Sequence, residues 1–369
     1  MAKSQRIRLG ILFGGRSAEH EVSRTSAASV ISALNPEEFR ITAIGITKEG
    51  RLASAAQVRE MLPAHLHARI CCSSILGAGK SPMHLIPSLS DGDKEEHSLP
   101  DIIFPLLHGP YGEDGTIQGV FEIAGCPFVG CGVLASAVGM DKDVSKRLFV
   151  QSGLPVLPYR VVESREVRRD LGPLRHTLAR EFGYPMFSKP ANLGSSVGVR
   201  KIHGDDEFDE AVRFSALFDR KIIIEKGIGA RELECAVLGN DEPEASVVGE
   251  IFPANEFYDY DAKYRSTDSR LEIPACIADN KSEEIRSIAV AAFRAIDGSG
   301  LSRADFLMDR NTGEVWLNEI NTMPGFTPIS MYPKLWAAGG VSFPELVRRL
   351  VRLGFERYKE RCERRISDG

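Results

Sequence analysis

Residues 301–326, LSRADFLMDRNTGEVWLNEINTMPGF, carry the reading from which the rest of the chain follows. Asp309-Arg310-Asn311-Thr312-Gly313 is a run of turn formers, and the flanking Ala304, Phe306, Met308 and Val315, Leu317 have the two-residue apolar spacing of half-buried strands. The spacing predicts a hairpin. Side chains alternate faces along a strand, so Arg303 and Asp305 share one face of the first strand, and Glu319 and Asn321 share one face of the second. A turn near Asn311 or Thr312 brings Asp305 opposite Glu319. Two carboxylates and an amide oxygen gathered there make a hard, all-oxygen set of the kind that binds Mg²⁺ together with substrate phosphates. Arg303 adds a fork of donors for a phosphoryl oxygen. A lone Asp-x-Phe or Glu-x-Asn is usually a solvated strand face; four such residues on paired strands favour the metal.

The chain around this hairpin has 369 residues, more than one comfortable hydrophobic core holds, so two or three domains are expected. Its 43% hydrophobic and 26% charged residues are ordinary for a globular protein, and a net charge of −5 argues against an electrostatic nucleic-acid binder. No apolar run approaches membrane-spanning length, and the apolar stretch in MAKSQRIRLGILFGG is short for a signal-peptide core. The expectation is a cytoplasmic protein. Seven cysteines, odd in number and without zinc-type spacing, read as reduced thiols.

Arg6 to Phe13 is a buried-strand run that stops at Gly14-Gly15, and Ser23 to Leu34 reads as a helix. Strand, glycine turn and helix suggest an α/β domain whose turn presents backbone N–H groups at a helix start. The third glycine of a dinucleotide fingerprint is missing from GGRSAE, so that reading fails. Glu19-His20-Glu21 lies where loop meets helix, and acidic residues there also complement a helix dipole. Gly79-Lys80-Ser81 resembles the end of a phosphate loop, but serine at 74 stands where its first glycine belongs; Leu76 to Pro100 reads instead as a surface excursion. Asp101 to Leu107 is a second strand, ending at HGPYGEDG (His108 to Gly115) before a helix from Thr116 to Ala124. Loops at strand C-termini are the usual ligand edge of open α/β sheets.

Asp141 is placed to cap a helix, and a domain boundary is expected nearby. Beyond it, Tyr184 to Pro190 is a strand, and ANLGSSVGV (Ala191 to Val199) reads as a flap whose N–H and O–H donors fold over phosphates, with Lys189 beside it as a point charge. Ile222 to Ile224 is a buried strand leading into EKGIGARE (Glu225 to Glu232), a strand-to-loop hinge suited to an adenine edge. Glu250 to Asp268, rich in aromatics and charge, reads as one long lid. Ser342 and Glu345 match a capping box opening a helix, Glu345 to Arg361, whose interspersed acids point to a solvated face.

Taken together, GGRSAEHEVS (14–23), HGPYGEDG, KPANLGSSVG (189–198), EKGIGARELE (225–234), YDYDAKY (258–264), RADF (303–306) and NEINTMPGFT (318–327) resemble the D-alanine:D-alanine ligase family of the ATP-grasp superfamily, in its order. Small departures are Ser188, where an apolar residue commonly precedes the lysine, and Phe252 in place of a usual valine. The resemblance implies an α/β, three-domain ATP-grasp fold: an N-terminal Rossmann-like domain (1–130), a central domain (131–224) and a C-terminal domain (225–369) with lid 250–270 and metal hairpin 301–326. Antiparallel sheets of the last two would clasp ATP.

It further implies that Lys142 and Lys189 contact ATP phosphates, that Glu225, Lys226, Ile228 and Glu232 hold adenine and ribose, and that Ser196 and Lys263 also belong to the ATP site. Asp305, Glu319 and Asn321 match ligands of two Mg²⁺ ions, which Mn²⁺ could replace. Glu19 matches the anchor of the first D-alanine's ammonium, in a hydrogen-bonded set with Ser195 and Tyr264, and His108 a residue beside that amino acid. Arg303 and the Gly325 N–H match oxyanion donors, and Ser330 and Met331 the pocket for the second D-alanine. The implied activity is ATP-dependent ligation of two D-alanines through a D-alanyl phosphate, for peptidoglycan synthesis, by a cytoplasmic homodimer without membrane or nucleic-acid partners. The alternatives are a D-alanine:D-lactate ligase, which Tyr264 in a long lid argues against, another carboxylate-amine ligase, and a non-enzymatic ATP-binding regulator.

Overall fold

The computed structural model describes residues 6–72, 79–80, 100–252 and 270–364. Strands β1 (Ile7–Gly14), β2 (Phe39–Ile46), β3 (Ile70–Cys72) and β4 (Ile102–Leu106) form a parallel sheet in the order β3-β2-β1-β4. β1 is buried from Leu9 onward, the near-continuous apolar run expected of a strand covered on both faces. It ends at Gly14, where φ is 96° and a Cβ would stand 2.1 Å from the Ile46 carbonyl oxygen, so only glycine fits the turn. The following helix runs His20–Ala33, three residues ahead of the expected start at Ser23. Ser23 lies on its buried face, accepting the Gly14 N–H at 2.7 Å and donating to the Leu106 carbonyl. It ties β1 to β4 rather than opening the helix.

A second sheet is antiparallel, in the order β5-β8-β6-β7, with β5 (Tyr159–Glu163), β6 (Met186–Pro190), β7 (Arg200–Ile202) and β8 (Lys221–Lys226). Helices Gly172–Phe182 and Asp205–Ser215 cover one face, where Leu178, Phe208 and Val212 meet Met186, Ile202, Ile222 and Ile224. Burying each of these side chains contributes about 1.5–3 kcal/mol. Ser188 also points to this side, and its hydroxyl donates to Ser215 Oγ at 2.9 Å, which donates to the Gly198 carbonyl. The departure at Ser188 thus costs no unpaired polar group. Phe187 and Lys189 take the opposite face, as period two requires.

The third sheet is antiparallel in the order β11-β10-β9-β12-β13, built from β9 (Ala230–Gly239), β10 (Glu244–Phe252), β11 (Arg270–Glu272), β12 (Gly300–Asp309) and β13 (Val315–Asn321). Glu250 to Phe252 therefore end a strand, not open a lid; Glu250 is held there by Arg231 Nε at 2.7 Å. The rest of the expected lid, 253–269, with Lys263 and Tyr264, lies outside the described residues, as does nearly all of the excursion 76–100. Helix Asp279–Ala295 packs its Ile285, Ala289 and Phe293 on one face of the sheet, in a core shared with Cys131, Ala135, Val138 and Phe149. On the other face, Met331–Ala338 and Phe343–Glu363 join Tyr332, Leu335 and Leu350 to the core of the parallel sheet, with Phe326 edge-on to Phe104 at 5.4 Å between ring centroids.

The last helix begins at Phe343 without a capping box. Ser342 makes no side-chain cap bond, and the Glu345 carboxylate, the other half of the box, pairs instead with Arg348 at 2.7 Å and Arg349 at 3.3 Å. Asp141 does cap the helix Lys142–Gln151, accepting the Asp143 and Val144 N–H groups at 3.1 Å.

Candidate active site

The hairpin forms with Asp305 paired to Glu319 and Arg303 to Asn321. Its register slips by one residue just past that pair: Phe306 faces Leu317, so Asn318 is the extra residue of a β-bulge. The bulge decides the chemistry. Strict alternation from the buried Val315 and Leu317 would turn Glu319 inward, whereas after the bulge Glu319 and Asn321 lie on the partly open face with Asp305 and Arg303. On the other side of β12, Asp305 faces Glu234 of β9, so three carboxylates line up across the sheet.

Cations balance them. Arg303 grips Asp305 with two prongs, at 2.6 and 2.7 Å, and reaches Glu234 at 3.0 Å; Lys142 reaches Glu319 at 3.2 Å and donates to the Leu193 carbonyl at 2.7 Å. Nε and Nη2 of Arg303 are thus paired with Asp305 on the cleft side of the sheet. Among the described residues no three acidic, histidine or cysteine side chains converge as a ready-made metal cage. Two carboxylates and the Asn321 amide oxygen, which also accepts the Met323 N–H at 3.0 Å, fit a Mg²⁺ ion that takes its remaining oxygens from water and phosphate.

Between the two antiparallel sheets lies a cleft of about 500 Å³. Lys142, Lys189, Ser195, Ser196, Glu225, Lys226, Ile228, Glu232, Asp305 and Glu319 all line it, joined by Phe187, Asn318 and Phe252. Phe252, the second departure, is thus a cleft wall. At its inner end Glu225 is 1% exposed and sandwiched between Lys189, at 2.6 Å, and Lys146, at 2.5 Å. Burial alone would raise the Glu225 pKa, but the two ammonium groups outweigh it and hold the carboxyl down at about 2.

The flap after β6 turns through Ser195 and Ser196, both in left-handed backbone with φ of 53° and 58°. Ser195 Oγ donates to Glu19 Oε1 at 2.5 Å, joining the flap to the start of the first helix. His108 stands behind Glu19's loop, fully engaged: Nδ1 is 3.0 Å from the Met323 carbonyl and Nε2 3.2 Å from Ser26 Oγ, which also accepts the Phe326 N–H. Burial pushes its pKa down, against the pull of Glu19. Glu113 is also buried here, accepting the Gly109 N–H at 2.9 Å. Burial first and then the Glu19 charge push its pKa up to about 8. Further along, Ser330 Oγ accepts the Thr327 N–H at 3.1 Å and lies where a Cβ on Gly325 would come within 2.7 Å, while Met331 is buried at a helix start. Gly325, Ser330, Met331, His108 and Glu19 lie outside the cleft lining.

The sequence reading missed Lys146, Glu113 and Glu234. Lys146 follows Lys142 by one helical turn, and Glu113 lies within HGPYGEDG, so both had a local signal; Glu234 shows itself only through the strand register.

Two antiparallel sheets closing on a lysine-lined cleft beside a parallel-sheet domain are the ATP-grasp architecture. The D-ala D-ala ligase N-terminus model matches residues 8–131 and the D-ala D-ala ligase C-terminus model residues 148–352. The chain belongs to the D-alanine–D-alanine ligase family. It is 50% identical to the D-alanine–D-alanine ligase of Heliobacterium modesticaldum over 368 residues, covering 96% of each chain. The ligase of Acetivibrio thermocellus is 46% identical over 364 residues, 96% of this chain and 97% of its own. Among solved structures, the D-alanine-D-alanine ligase from Coxiella burnetii matches with a TM-score of 0.79 at 32% identity, over 98% of this chain and 97% of that one. The VanG D-Ala:D-Ser ligase from Enterococcus faecalis matches with 0.80 at 33%, over 95% of this chain and 100% of that one.

Proposed function

We propose that the protein joins two D-alanines into D-alanyl-D-alanine, a peptidoglycan precursor, using ATP to activate the first as an acyl phosphate. A carboxylate is a poor electrophile, and phosphorylation supplies its leaving group. ATP occupies the cleft, adenine and ribose against Glu225, Lys226, Ile228 and Glu232, phosphates under the flap against Lys142, Lys189 and Ser196. Mg²⁺ held by Asp305, Glu319 and Asn321 supplies charge neutralisation to phosphoryl transfer. The lysines do the same from the opposite wall.

Glu19 is placed to hold the ammonium of the first D-alanine while Ser195 draws the flap onto it, which excludes water from a hydrolysable intermediate. Arg303 and the Gly325 N–H serve the developing oxyanion, His108 flanks the first amino acid, and Ser330 and Met331 receive the second. We take the units to be 1–130, 131–224 and 225–369 and infer a cytoplasmic homodimer; light scattering tests the dimer.

The observation that carries this reading is the bulged hairpin, which turns both carboxylates toward a cleft whose facing wall supplies two lysines. Phosphate release with D-alanine, L-alanine or neither tests it, with product analysis in competition against D-lactate and D-serine. Release that does not depend on D-alanine would refute the ligase reading. Mainly D-alanyl-D-lactate would favour the D-lactate alternative, and mainly D-alanyl-D-serine would favour a D-serine-using ligase like the VanG enzyme that the chain resembles.

A further inference from the structure

Lys146 lies beneath the cleft and does not line it. It is 1% exposed, deeper than Lys142 one turn earlier on the same helix, and its Nζ stands 2.5 Å from Glu225 Oε1 and 5.8 Å from the centre of the Tyr159 ring. Tyr159 is the residue paired with Glu225 across β5 and β8. Glu225's second oxygen is held by Lys189 at 2.6 Å, and Lys189 also donates to Asn318 Oδ1 at 3.3 Å. Two ammonium groups thus share one buried carboxylate. Only one of them, Lys189, borders the space open to a ligand.

We propose that Lys146 is a positioning residue for nucleotide binding: it is the standing counter-ion of Glu225, which leaves Lys189 able to exchange Glu225 for a phosphate oxygen. The inference rests on the reading of the cleft as an ATP site. A buried carboxylate stripped of its counter-ion is strongly unfavourable. If Lys189 were the sole partner of Glu225, each movement toward a phosphate would expose that cost, and the ligand's phosphates would compete with a carboxylate for the same ammonium. With Lys146 in place Glu225 stays paired throughout. The trio carries one net positive charge, which Lys189 can present to the phosphates. Lys146 makes no contact with the ligand in this scheme and acts through Glu225.

Calorimetric titration of the full chain with ATP in Mg²⁺ and, separately, with adenosine tests the assignment. Lys146→Met should weaken ATP binding by about tenfold or more while changing adenosine binding by less than about threefold, and Lys146→Arg should restore most of the loss. The ATP defect should appear in KM more than in kcat. In the Glu225→Gln background, where no carboxylate needs a counter-ion, adding Lys146→Met should cost ATP affinity less than about threefold. Equal loss of ATP and adenosine, or an undiminished loss in the Glu225→Gln background, would overturn the proposal and leave Lys146 a packing residue. If Lys146→Met alone does not fold, Lys146→Gln takes its place in both the wild-type and the Glu225→Gln background, judged by the same criterion. Wild-type protein that binds ATP no better than adenosine would remove the ATP reading of the cleft itself, and the role of Lys146 with it.

Discussion

The tie between flap and first helix gives the sharpest test of how the active site closes. Ser195→Ala deletes one hydroxyl whose oxygen lies 2.5 Å from Glu19 Oε1. Serine already occupies left-handed backbone at φ 53°, so alanine pays the Cβ penalty the native residue pays, and the change isolates the hydrogen bond. A hydrogen bond to a carboxylate contributes about 1.5–3 kcal/mol. Glu19 is only 8% exposed, so water replaces the lost donor poorly. A loss of about 2 kcal/mol corresponds to about thirtyfold in kcat/KM for D-alanine. The bond spans 176 residues of sequence and joins parts of the chain that fold around different sheets, so its loss should lower the melting temperature little. The assay is phosphate release with varied D-alanine at saturating ATP, with a thermal melt of the same samples. Activity within about threefold of wild type would show that the hydroxyl does not hold the flap closed, and a collapse in melting temperature would show that it serves stability instead.

Two further outcomes follow from the same geometry. Glu319→Gln keeps the size of the side chain but removes one of the paired hairpin carboxylates, and should lower kcat by at least about a hundredfold at saturating Mg²⁺ with the melting temperature nearly unchanged; near-native kcat would dismiss the metal assignment. Glu113, with its pKa raised from 4.5 to about 8, holds a proton in the folded state that the unfolded chain releases near 4.5. Its contribution to stability is therefore full below about pH 4.5 and is lost as pH rises through about 8. Glu113→Gln cannot ionise, so melting temperatures measured from about pH 4 to 9 should show the variant gaining on wild type as pH rises; parallel curves would place the Glu113 titration elsewhere.

Much of this site was legible along the chain because its parts are local. The hairpin pairing of Asp305 with Glu319, the glycine turn after β1, the Asp141 cap and the flap beside Lys189 each depend on a few neighbouring residues whose propensities and spacing are written in order. Other features were misread for the opposite reason. Ser342 and Glu345 have capping-box spacing, yet the glutamate pairs with Arg348 and Arg349 farther along the helix and no cap bond forms. Ser23 looks like a helix start and is instead a buried tie between two strands.

The sequence alone thus determined the hairpin, the glycine turn and the helix cap, since turn chemistry and two-residue periodicity act over a few residues, and its motifs carried the family resemblance that implied the ATP-grasp fold. Only the tertiary structure decided which carboxylates face the cleft and which cations serve them. The Asn318 bulge turns Glu319 outward against the simple alternation. Lys146 becomes a counter-ion only because its helix is packed so that its Nζ comes within 2.5 Å of Glu225 on a distant strand. Arg303 is committed to Asp305 and to Glu234, the latter brought across from β9 by sheet register. Burial and charge pairing depend on what arrives from far along the chain, and so do the pKa values and the partner exchange that follow from them.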